Sequence, residues 1–188
     1  MKKLVLSQEE IQTICQRLAK VLSDDLRSEP NAPVFVGIMK GALNFYYDLI
    51  KYLDIHITTD FIQVSSYFGT GRGRKVRLIR DIKENIKGRT IVLIEDIIDS
   101  GHSISFLVEY LKTFEPRKIL ICALFDKVNA REYPVEVDYC GKQLVDNDFL
   151  VGYGLDYKEF LRNVPYVYIP TEEEVKELDD LYDRSNVK

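Results

Sequence analysis

The amino-acid sequence predicts an α/β fold: a mostly parallel central sheet flanked by helices, with a small hood region near the end of the chain. The first observation is a set of short apolar runs, typical of strands buried on both faces, at residues 34–38, 91–94 and 118–124. The second is that stretches with apolar residues at helical spacing alternate with these runs, as in proteins with parallel sheets. The third is size, because 188 residues with 46% hydrophobic and 30% charged side chains are typical of one globular domain. We therefore predict a single domain over residues 1–188.

A capping box predicts where the first helix begins. Ser7 and Glu10 have the required spacing, and apolar residues follow at helical intervals, so we expect a helix that ends near Arg27. The strand at residues 34–38 comes next. A second helix is then expected over residues 42–53.

Two β-rich runs, residues 55–64 and 76–79, flank a segment that we call the flap, residues 65–75. The flap contains three glycines and three basic residues and can bury little apolar surface, so we expect it to be a mobile loop. Its glycines do not have the spacing of a dinucleotide-binding fingerprint, and the chain contains no Gly-Lys-Ser or Gly-Lys-Thr. The sequence therefore argues against a Rossmann-type cofactor site and against a P-loop.

The next strand leads into two acids. The apolar run at residues 91–94 is followed by Glu95 and Asp96, and we expect the strand to end where these charges begin. Two isoleucines separate the acid pair from a third carboxylate, Asp99.

A short polar loop then connects this strand to a helix. Asp99, Ser100, Gly101, His102 and Ser103 form the loop, and apolar residues at helical spacing follow. Such a turn directs backbone N–H groups and a helix N-terminus at one point, which suits a phosphate, and the two serines add hydroxyl donors. The alternative is a solvated loop in which Asp99 caps the helix.

Polar residues follow three of the predicted strands. The run Met39-Lys40-Gly41 follows the first, the loop that begins at Asp99 follows the second, and Asp126 and Lys127 follow the third. Ligands of parallel sheets bind beyond the carboxyl ends of the strands, so one crevice can collect all three groups. This convergence predicts a single active site.

The end of the chain is expected to form the hood region and a last helix. Residues near Val135 and Val137, and the runs 149–151 and 167–169, predict short strands. A second capping-box spacing and a one-sided apolar pattern predict an amphipathic helix near residues 171–184.

Charge and cysteine content narrow the class of protein. A net charge of −4 argues against bulk binding to nucleic acid, which depends on an excess of Lys and Arg. No apolar run has the length of a signal peptide or a membrane span, so we expect no membrane association. Cys15, Cys122 and Cys140 are odd in number and widely separated, which predicts reduced packing residues in a cytoplasmic protein.

The run from Glu95 to Ser103, with the apolar strand before it, resembles the phosphoribosyl pyrophosphate motif of the type I phosphoribosyltransferases in its hypoxanthine-guanine form. The resemblance covers residues 34–170, and the supporting motifs occur in the family's order. It implies the type I phosphoribosyltransferase fold and a role in purine salvage. The implied reaction transfers 5-phosphoribosyl from phosphoribosyl pyrophosphate to N9 of hypoxanthine or guanine, giving IMP or GMP and pyrophosphate.

The resemblance also implies which residues bind each part of the substrates. The implied contacts to ribose and the 5-phosphate are Glu95, Asp96, Asp99, Ser100, Gly101, His102 and Ser103. The implied contacts to pyrophosphate are Met39, Lys40, Gly41 and Arg162, with a cis peptide bond between the first two. The implied purine contacts are Ile97, Lys127, Phe149 and Leu150. In this scheme Lys127 donates to the 6-oxo group and Phe149 stacks on the ring.

Catalytic roles and a cofactor are implied in the same way. Asp99 would take the proton from purine N7, while Ser66 and Tyr67 belong to a flap that closes and excludes water. The implied cofactor is Mg²⁺, with carboxylates from Glu95, Asp96 and Asp156. This hard ion needs only a few carboxylates when substrate oxygens complete its shell.

Two alternatives remain open. One is a transferase that prefers xanthine or a pyrimidine, although Lys127 and the run from Phe149 to Asp156 match the hypoxanthine-guanine pattern. The other is a non-catalytic nucleotide-sensing regulator on the same fold, for which a broad basic surface is expected, whereas only the flap is basic here.

The expected partners are small-molecule substrates and further copies of the chain, as a homodimer or homotetramer. The last helix would contact another copy or pack on its own domain.

Overall fold

The computed structural model describes residues 2–68 and 74–186. The strands are β1 (Lys3–Leu6), β2 (Val34–Met39), β3 (Thr58–Phe68), β4 (Arg74–Arg80), β5 (Thr90–Ile98), β6 (Lys118–Lys127), β7 (Tyr139–Leu144) and β8 (Val167–Ile169). The helices are α1 (Gln8–Leu26), α2 (Leu43–Ile50), α3 (His102–Lys112) and α4 (Glu172–Asn186), with a short 3₁₀ helix at Val128–Ala130. The predicted alternation of strands and helices is confirmed.

Within the described residues, six strands form the central sheet in the order β4-β3-β2-β5-β6-β7. Strands β3, β2, β5, β6 and β7 pair in parallel, and β4 joins the edge antiparallel to β3. From β2 the chain proceeds outward to β3 and β4, whereas from β5 it proceeds the other way to β6 and β7. The boundary between β2 and β5 is therefore the point where the strand order reverses, and such a point opens a crevice for a ligand.

The middle strands are buried on both faces, as their continuous apolar sequences predict. Val92 and Ile94 on β5 pack in a cluster with α1 and α2, while Ile91 and Leu93 pack in a second cluster with α3. Side chains alternate between the two faces of a strand, so one apolar run supplies both cores.

The first helix begins as predicted, and the second is shorter than predicted. Glu10 N donates to Ser7 Oγ at 3.2 Å and Ser7 N donates to Glu10 Oε2 at 2.7 Å, which completes the capping box. Helix α2 spans Leu43–Ile50 rather than residues 42–53, because its last turn tightens. There Tyr52 N donates to Leu49 O and Leu53 N donates to Ile50 O, which are bonds of the 3₁₀ type.

The prediction that the strand after residue 90 ends at the acid pair is wrong. Strand β5 continues to Ile98, because its ladder with β6 continues with Glu95 opposite Ala123 and Ile98 opposite Asp126. Asp96 is only 7% exposed. The two acids therefore stand inside the end of the sheet, where the backbone bonds of the ladder are retained.

The flap is also more regular than predicted. Strands β3 and β4 extend into it as an antiparallel hairpin in which Ser65 pairs with Arg77 and Ser66 pairs with Val76. The ladder is favoured because edge strands can pair through their backbones without burying apolar side chains. Residues 69–73 of the flap lie outside the described residues, and the mobility of the flap stays a prediction.

The hood region combines both ends of the chain. Strand β1 pairs antiparallel with β8, and Val151 forms a single bridge to Tyr168 instead of the strand predicted at residues 149–151. The residues around Val135 and Val137 are not in a strand, and the sheet gains β7 as an edge strand instead. The sequence concealed β7 because it includes a glycine and lacks clear alternation.

The last helix, the cysteines and the character of the helices are the remaining features that the sequence analysis addressed. The helix α4 is confirmed, with Glu174 N donating to Thr171 Oγ1 at 3.2 Å. Cys15, Cys122 and Cys140 are free thiols. Among the helices in the described part of the chain, none is long and apolar enough to cross a membrane.

Candidate active site

The loops that follow β2 and β5 meet where the strand order reverses. A Cβ atom on Gly41 would lie 2.0 Å from Asp96 Oδ2, so only glycine fits beside this carboxylate. The peptide bond between Met39 and Lys40 is cis, as the resemblance implied. Two of the predicted binding segments are therefore in direct contact.

The loop before α3 is shaped by its backbone. Gly101 has a φ of +82°, in the left-handed region that favours glycine, and α3 begins at the next residue. The N-cap residue is Gly101, which has no side chain to accept a hydrogen bond, so the alternative in which Asp99 serves as the cap is wrong. The N-terminus of α3 is open toward a cavity of about 170 Å³, lined by Ser66, Glu95 and the residues from Ile97 to Ile104.

Residues 131–133, which follow β6, contact the loop before α3 and hold it in place. Glu132 N and Tyr133 N both donate to Ser100 O at 3.0 Å, and the ring of Tyr133 stacks on His102 with centroids 4.4 Å apart. Arg131 Nη1 donates to Asp99 O at 3.2 Å. Motif reasoning missed these supports because they involve residues about 30 positions away with no recognisable pattern.

Lys127 is the last residue of β6 and lies beside the loop that precedes α3. It is buried, with 7% exposure, and its Nζ lies 3.8 Å from Asp99 Oδ2. The neighbouring Asp126 is also buried and forms an ion pair with Arg131. A second cavity, of about 860 Å³, is lined by Asp99, Ser100, His102, Lys127 and residues 129–133 and 147. Asp99 therefore lines both this cavity and the smaller one at the helix N-terminus.

The acid pair at the end of β5 is electrostatically unfavourable in the free protein. Burial raises the pKa of Glu95 well above its ordinary value, and the neighbouring carboxylate of Asp96 raises it further. Burial also raises the pKa of Asp96, although Ile97 N donates to its Oδ1 at 2.8 Å. Such a site gains stability when a cation or a hydroxyl donor approaches.

This cost predicts a pH-dependent gain in stability for Glu95→Gln. Between the ordinary Glu pKa and the raised pKa of Glu95, the folded chain keeps a proton on Glu95 that the unfolded chain has released. The folded state therefore loses stability as pH rises through this range. Glutamine resembles the protonated acid, so the wild type and the variant should have similar melting temperatures near pH 4, roughly the ordinary Glu pKa. Toward about pH 8 the variant should have the higher melting temperature, because the wild type carries the charge on Glu95 there. Thermal melts of the ligand-free proteins across this range measure the effect, with exposed Glu177→Gln as the control. A difference in melting temperature that stays constant with pH would show that the charge of Glu95 has no such cost.

Of the predicted purine residues, Phe149 and Leu150 lie in the hood region, whereas Ile97 and Lys127 belong to strands β5 and β6 of the central sheet. Phe149 is 52% exposed, and its only aromatic neighbour among the described residues is Tyr157, edge-on at 5.9 Å. Leu150 is buried, and Ile97 packs against the same hydrophobic cluster as Leu150. The exposed ring of Phe149 is available for stacking.

The predicted pyrophosphate residues converge through a residue that the sequence did not reveal. Lys40 Nζ lies 2.9 Å from Glu159 Oε2, and Arg162 Nη2 lies 3.2 Å from Glu159 Oε1. The hydrogen bond from Lys40 lowers the pKa of Glu159, and so does the hydrogen bond from Arg162. Arg162 also pairs with Asp156 at 2.8 Å. Glu159 thus occupies two cations that an anionic ligand would otherwise contact.

The carboxylates fit a magnesium ion whose shell is completed mostly by substrate oxygens. Glu95 and Asp96 are adjacent at the strand end, and burial disfavours their charge. Asp156 has internal partners on both oxygens, Arg162 on Oδ1 and Glu159 N on Oδ2 at 2.8 Å. Across residues 2–68 and 74–186 no three acidic, His or Cys side chains form a ready cation cage. Few protein carboxylates are what Mg²⁺ requires when phosphates supply the other ligands.

Residues 5–158 match the family model of the phosphoribosyl transferase domain. A hypoxanthine-guanine phosphoribosyltransferase of Staphylococcus epidermidis is 39% identical over 168 residues, which cover 89% of this chain and 92% of that protein. The crystal structure of a hypoxanthine phosphoribosyltransferase from Staphylococcus aureus aligns with a TM-score of 0.85 and 38% identity, covering 91% of this chain and 92% of that chain. A hypoxanthine-guanine phosphoribosyltransferase structure from Bacillus anthracis aligns with a TM-score of 0.82 and 34% identity, covering 90% and 97%.

Proposed function

The chain belongs to the phosphoribosyl transferase domain family, and from that premise we propose that it is a hypoxanthine-guanine phosphoribosyltransferase of purine salvage. It transfers 5-phosphoribosyl from phosphoribosyl pyrophosphate to N9 of hypoxanthine or guanine. The products are IMP or GMP and pyrophosphate.

One observation carries the choice of a 6-oxopurine: the 3.8 Å distance between Lys127 Nζ and Asp99 Oδ2. The 6-oxo group and N7 lie side by side on one edge of such a purine. A buried cation that donates to the oxygen and a carboxylate that accepts from N7–H must therefore be neighbours on the protein. These two side chains supply that donor and that acceptor.

The reaction follows from this arrangement. N9 attacks the anomeric carbon of the ribose, the bond from that carbon to pyrophosphate breaks, and the N7 proton passes to Asp99. The configuration at the carbon is inverted because attack and departure occur on opposite sides. Proton removal makes N9 a better nucleophile, which is general-base catalysis.

Binding of the phosphoribosyl part uses the edge between β2 and β5. The backbone N–H groups of Ser100, Gly101, His102 and Ser103 and the N-terminus of α3 hold the 5-phosphate. Glu95 and Asp96 hold the ribose hydroxyls.

The pyrophosphate binds beside the cis peptide. The backbone of residues 39–41 and the guanidinium of Arg162 contact it, and Glu159 yields its two cations to the ligand. Glu95, Asp96 and Asp156 would hold Mg²⁺, and the ion would supply positive charge to the oxygens of the pyrophosphate.

The flap, with Ser66 and Tyr67, closes over the reacting carbon. Ser66 Oγ lies 3.5 Å from Ser103 Oγ, so the hairpin already reaches the loop that holds the 5-phosphate. Closure excludes water that would otherwise compete with the purine.

Closure predicts slower hydrogen exchange in the hairpin strands when both substrate sites are filled. The amides of residues 65–67 and 75–77 should gain protection with a transition-state analogue, whereas those of α1 should change little. Mass spectrometry of exchanged peptides gives the comparison. Equal protection of the hairpin in the free and bound protein would argue that it does not close.

The partners that we propose are the two substrates and further copies of the chain, in a homodimer or homotetramer. The three free cysteines are consistent with a reducing compartment, and we place the protein in the cytoplasm. We propose no role for nucleic acid or membranes.

Product analysis tests the proposed reaction. Purified protein with Mg²⁺, phosphoribosyl pyrophosphate and hypoxanthine should release one pyrophosphate for each IMP formed, and guanine should give GMP with the same stoichiometry. Release of pyrophosphate without nucleotide would mean hydrolysis rather than transfer. A protein that consumes neither substrate would fit the alternative of a non-catalytic regulator.

A further inference from the structure

The C-terminal helix α4 lies beyond the residues that match the family model, and it packs on the hood of its own domain. Near its start, Glu174 Oε1 accepts from Tyr168 Oη at 2.7 Å and from Lys2 Nζ at 2.7 Å. One turn later Leu178 is buried, with 8% exposure. The first two turns therefore anchor the helix on strand β8.

The next residue of α4 reaches the loop that carries the pyrophosphate contacts. Asp179 Oδ1 accepts a hydrogen bond from Tyr157 Oη at 2.8 Å and lies 2.8 Å from Lys158 Nζ. Lys158 and Glu159 both have positive φ, at 49° and 72°, a conformation that L-residues rarely adopt without support. Asp179 contacts the chain at the point where this turn begins.

Tyr157 connects that contact to the purine region. Its ring meets Phe149 edge-on, with centroids 5.9 Å apart and planes at 85°. Phe149 is half exposed, and the ring of Tyr157 is the aromatic group that contacts its buried part. The hydroxyl of Tyr157 is in turn fixed by Asp179.

We propose that Asp179 is a positioning residue for purine binding, acting through Tyr157 to hold Phe149 in the orientation that stacks on the base. The proposal rests on the function proposed above. The acidic helix α4 thus acts within its own subunit. We call α4 the strap and the ring of Phe149 the platform, because the helix holds this ring in place before the purine binds. Preorganisation lowers the cost of binding without adding a contact to the ligand.

Steady-state kinetics test the role in base binding. Asp179→Ala should raise the KM for hypoxanthine and guanine by about three- to tenfold, the range that one side-chain hydrogen bond is worth. The KM for phosphoribosyl pyrophosphate and kcat should stay within twofold. Tyr157→Phe should reproduce the effect on the KM for the base. The double variant should be no worse than Asp179→Ala, because that change already removes the hydrogen bond to Tyr157 as well as the ion pair with Lys158. Asp179→Asn keeps an acceptor for the hydroxyl and should recover part of the loss.

A matched control separates this role from general effects of the helix. Glu177 is exposed on α4, two residues before Asp179, and Glu177→Ala removes the same charge. It should leave both KM values unchanged. Thermal melts of all the variants show whether α4 remains docked.

A fluorescence measurement tests the positioning without relying on catalysis. The chain contains no tryptophan, so Phe149→Trp introduces a single probe at the platform. Adding Asp179→Ala to this variant should increase the amplitude of the fast decay of the fluorescence anisotropy in the ligand-free protein, because the indole ring then moves more freely. Adding Glu177→Ala should leave that amplitude unchanged.

The outcomes distinguish the two proposals. An inactive wild type in which Asp179→Ala still frees the probe would overturn the proposed function and retain the strap. An unchanged probe together with an unchanged base KM would overturn the strap. The strap would also be overturned if Asp179→Ala raised the KM for the base and the KM for phosphoribosyl pyrophosphate equally and lowered the melting temperature, with the anisotropy of the probe unchanged. In that case α4 would only stabilise the fold.

Discussion

Asp99→Asn is expected to slow the chemical step by about 10²–10⁴-fold, the usual contribution of a general base. Asparagine keeps the shape and the hydrogen-bonding capacity of the side chain but removes the basic lone pair. Asp99 lines both cavities of the site and lies 3.8 Å from Lys127, so its carboxylate stands between the loop that we propose for the 5-phosphate and the lysine that we propose for the base. Affinity for phosphoribosyl pyrophosphate should change little, because the backbone of the loop is fixed by Arg131 and residues 132–133.

Single-turnover rates measure this effect apart from product release. Asp24→Asn, an exposed change on α1, is the control and should match the wild type. A single-turnover rate within threefold of the wild type would sink the assignment of Asp99 as the base. Weaker binding of phosphoribosyl pyrophosphate without a slower step would make Asp99 a residue that shapes the loop.

Lys127→Ala is expected to reduce catalytic efficiency for both purines while phosphoribosyl pyrophosphate binding stays nearly intact. A buried acceptor that loses a charged donor costs about 1.5–3 kcal/mol, which corresponds to roughly 10- to 150-fold. Lys127 is buried at the end of β6, so water does not readily replace its ammonium group.

The matched control for this variant lies on the same strand. Lys118 begins β6 at its exposed end, and Lys118→Ala removes the same charge away from the site. Isothermal titration with phosphoribosyl pyrophosphate and steady-state rates with each base separate the two effects. If Lys127→Ala keeps wild-type efficiency with hypoxanthine and guanine, another group reads the base.

The sequence predicted the centre of the fold well, because strands β2, β5 and β6 are buried on both faces and so consist of apolar residues. It failed where burial does not dictate composition. Strand β7 is an edge strand with a glycine at position 141, and β1 has only four residues. Neither has a pattern that differs clearly from a loop.

The acid pair illustrates a different failure. Charged residues ordinarily mark the end of a buried strand, yet β5 continues through Glu95 and Asp96 to Ile98. Local reasoning assumes that each residue suits its surroundings, and that assumption breaks down where a site retains unfavourable charge for a ligand.

The convergence of the site was predictable because parallel strands present their carboxyl ends at one edge. Its internal contacts were not. The approach of Gly41 to Asp96 and the bonds of Glu159 to Lys40 and Arg162 join residues that are far apart in the chain. Single-residue motifs hold no information on such distances, which depend on how the hood packs on the sheet.

The most direct test of the central claim is the steady-state rate of nucleotide formation with hypoxanthine, guanine, xanthine and adenine, each with phosphoribosyl pyrophosphate and Mg²⁺. The account predicts efficient conversion of hypoxanthine and guanine and very slow conversion of adenine, because adenine presents an amino group to the ammonium of Lys127. Conversion of adenine as fast as hypoxanthine, or no conversion of either hypoxanthine or guanine, would contradict it.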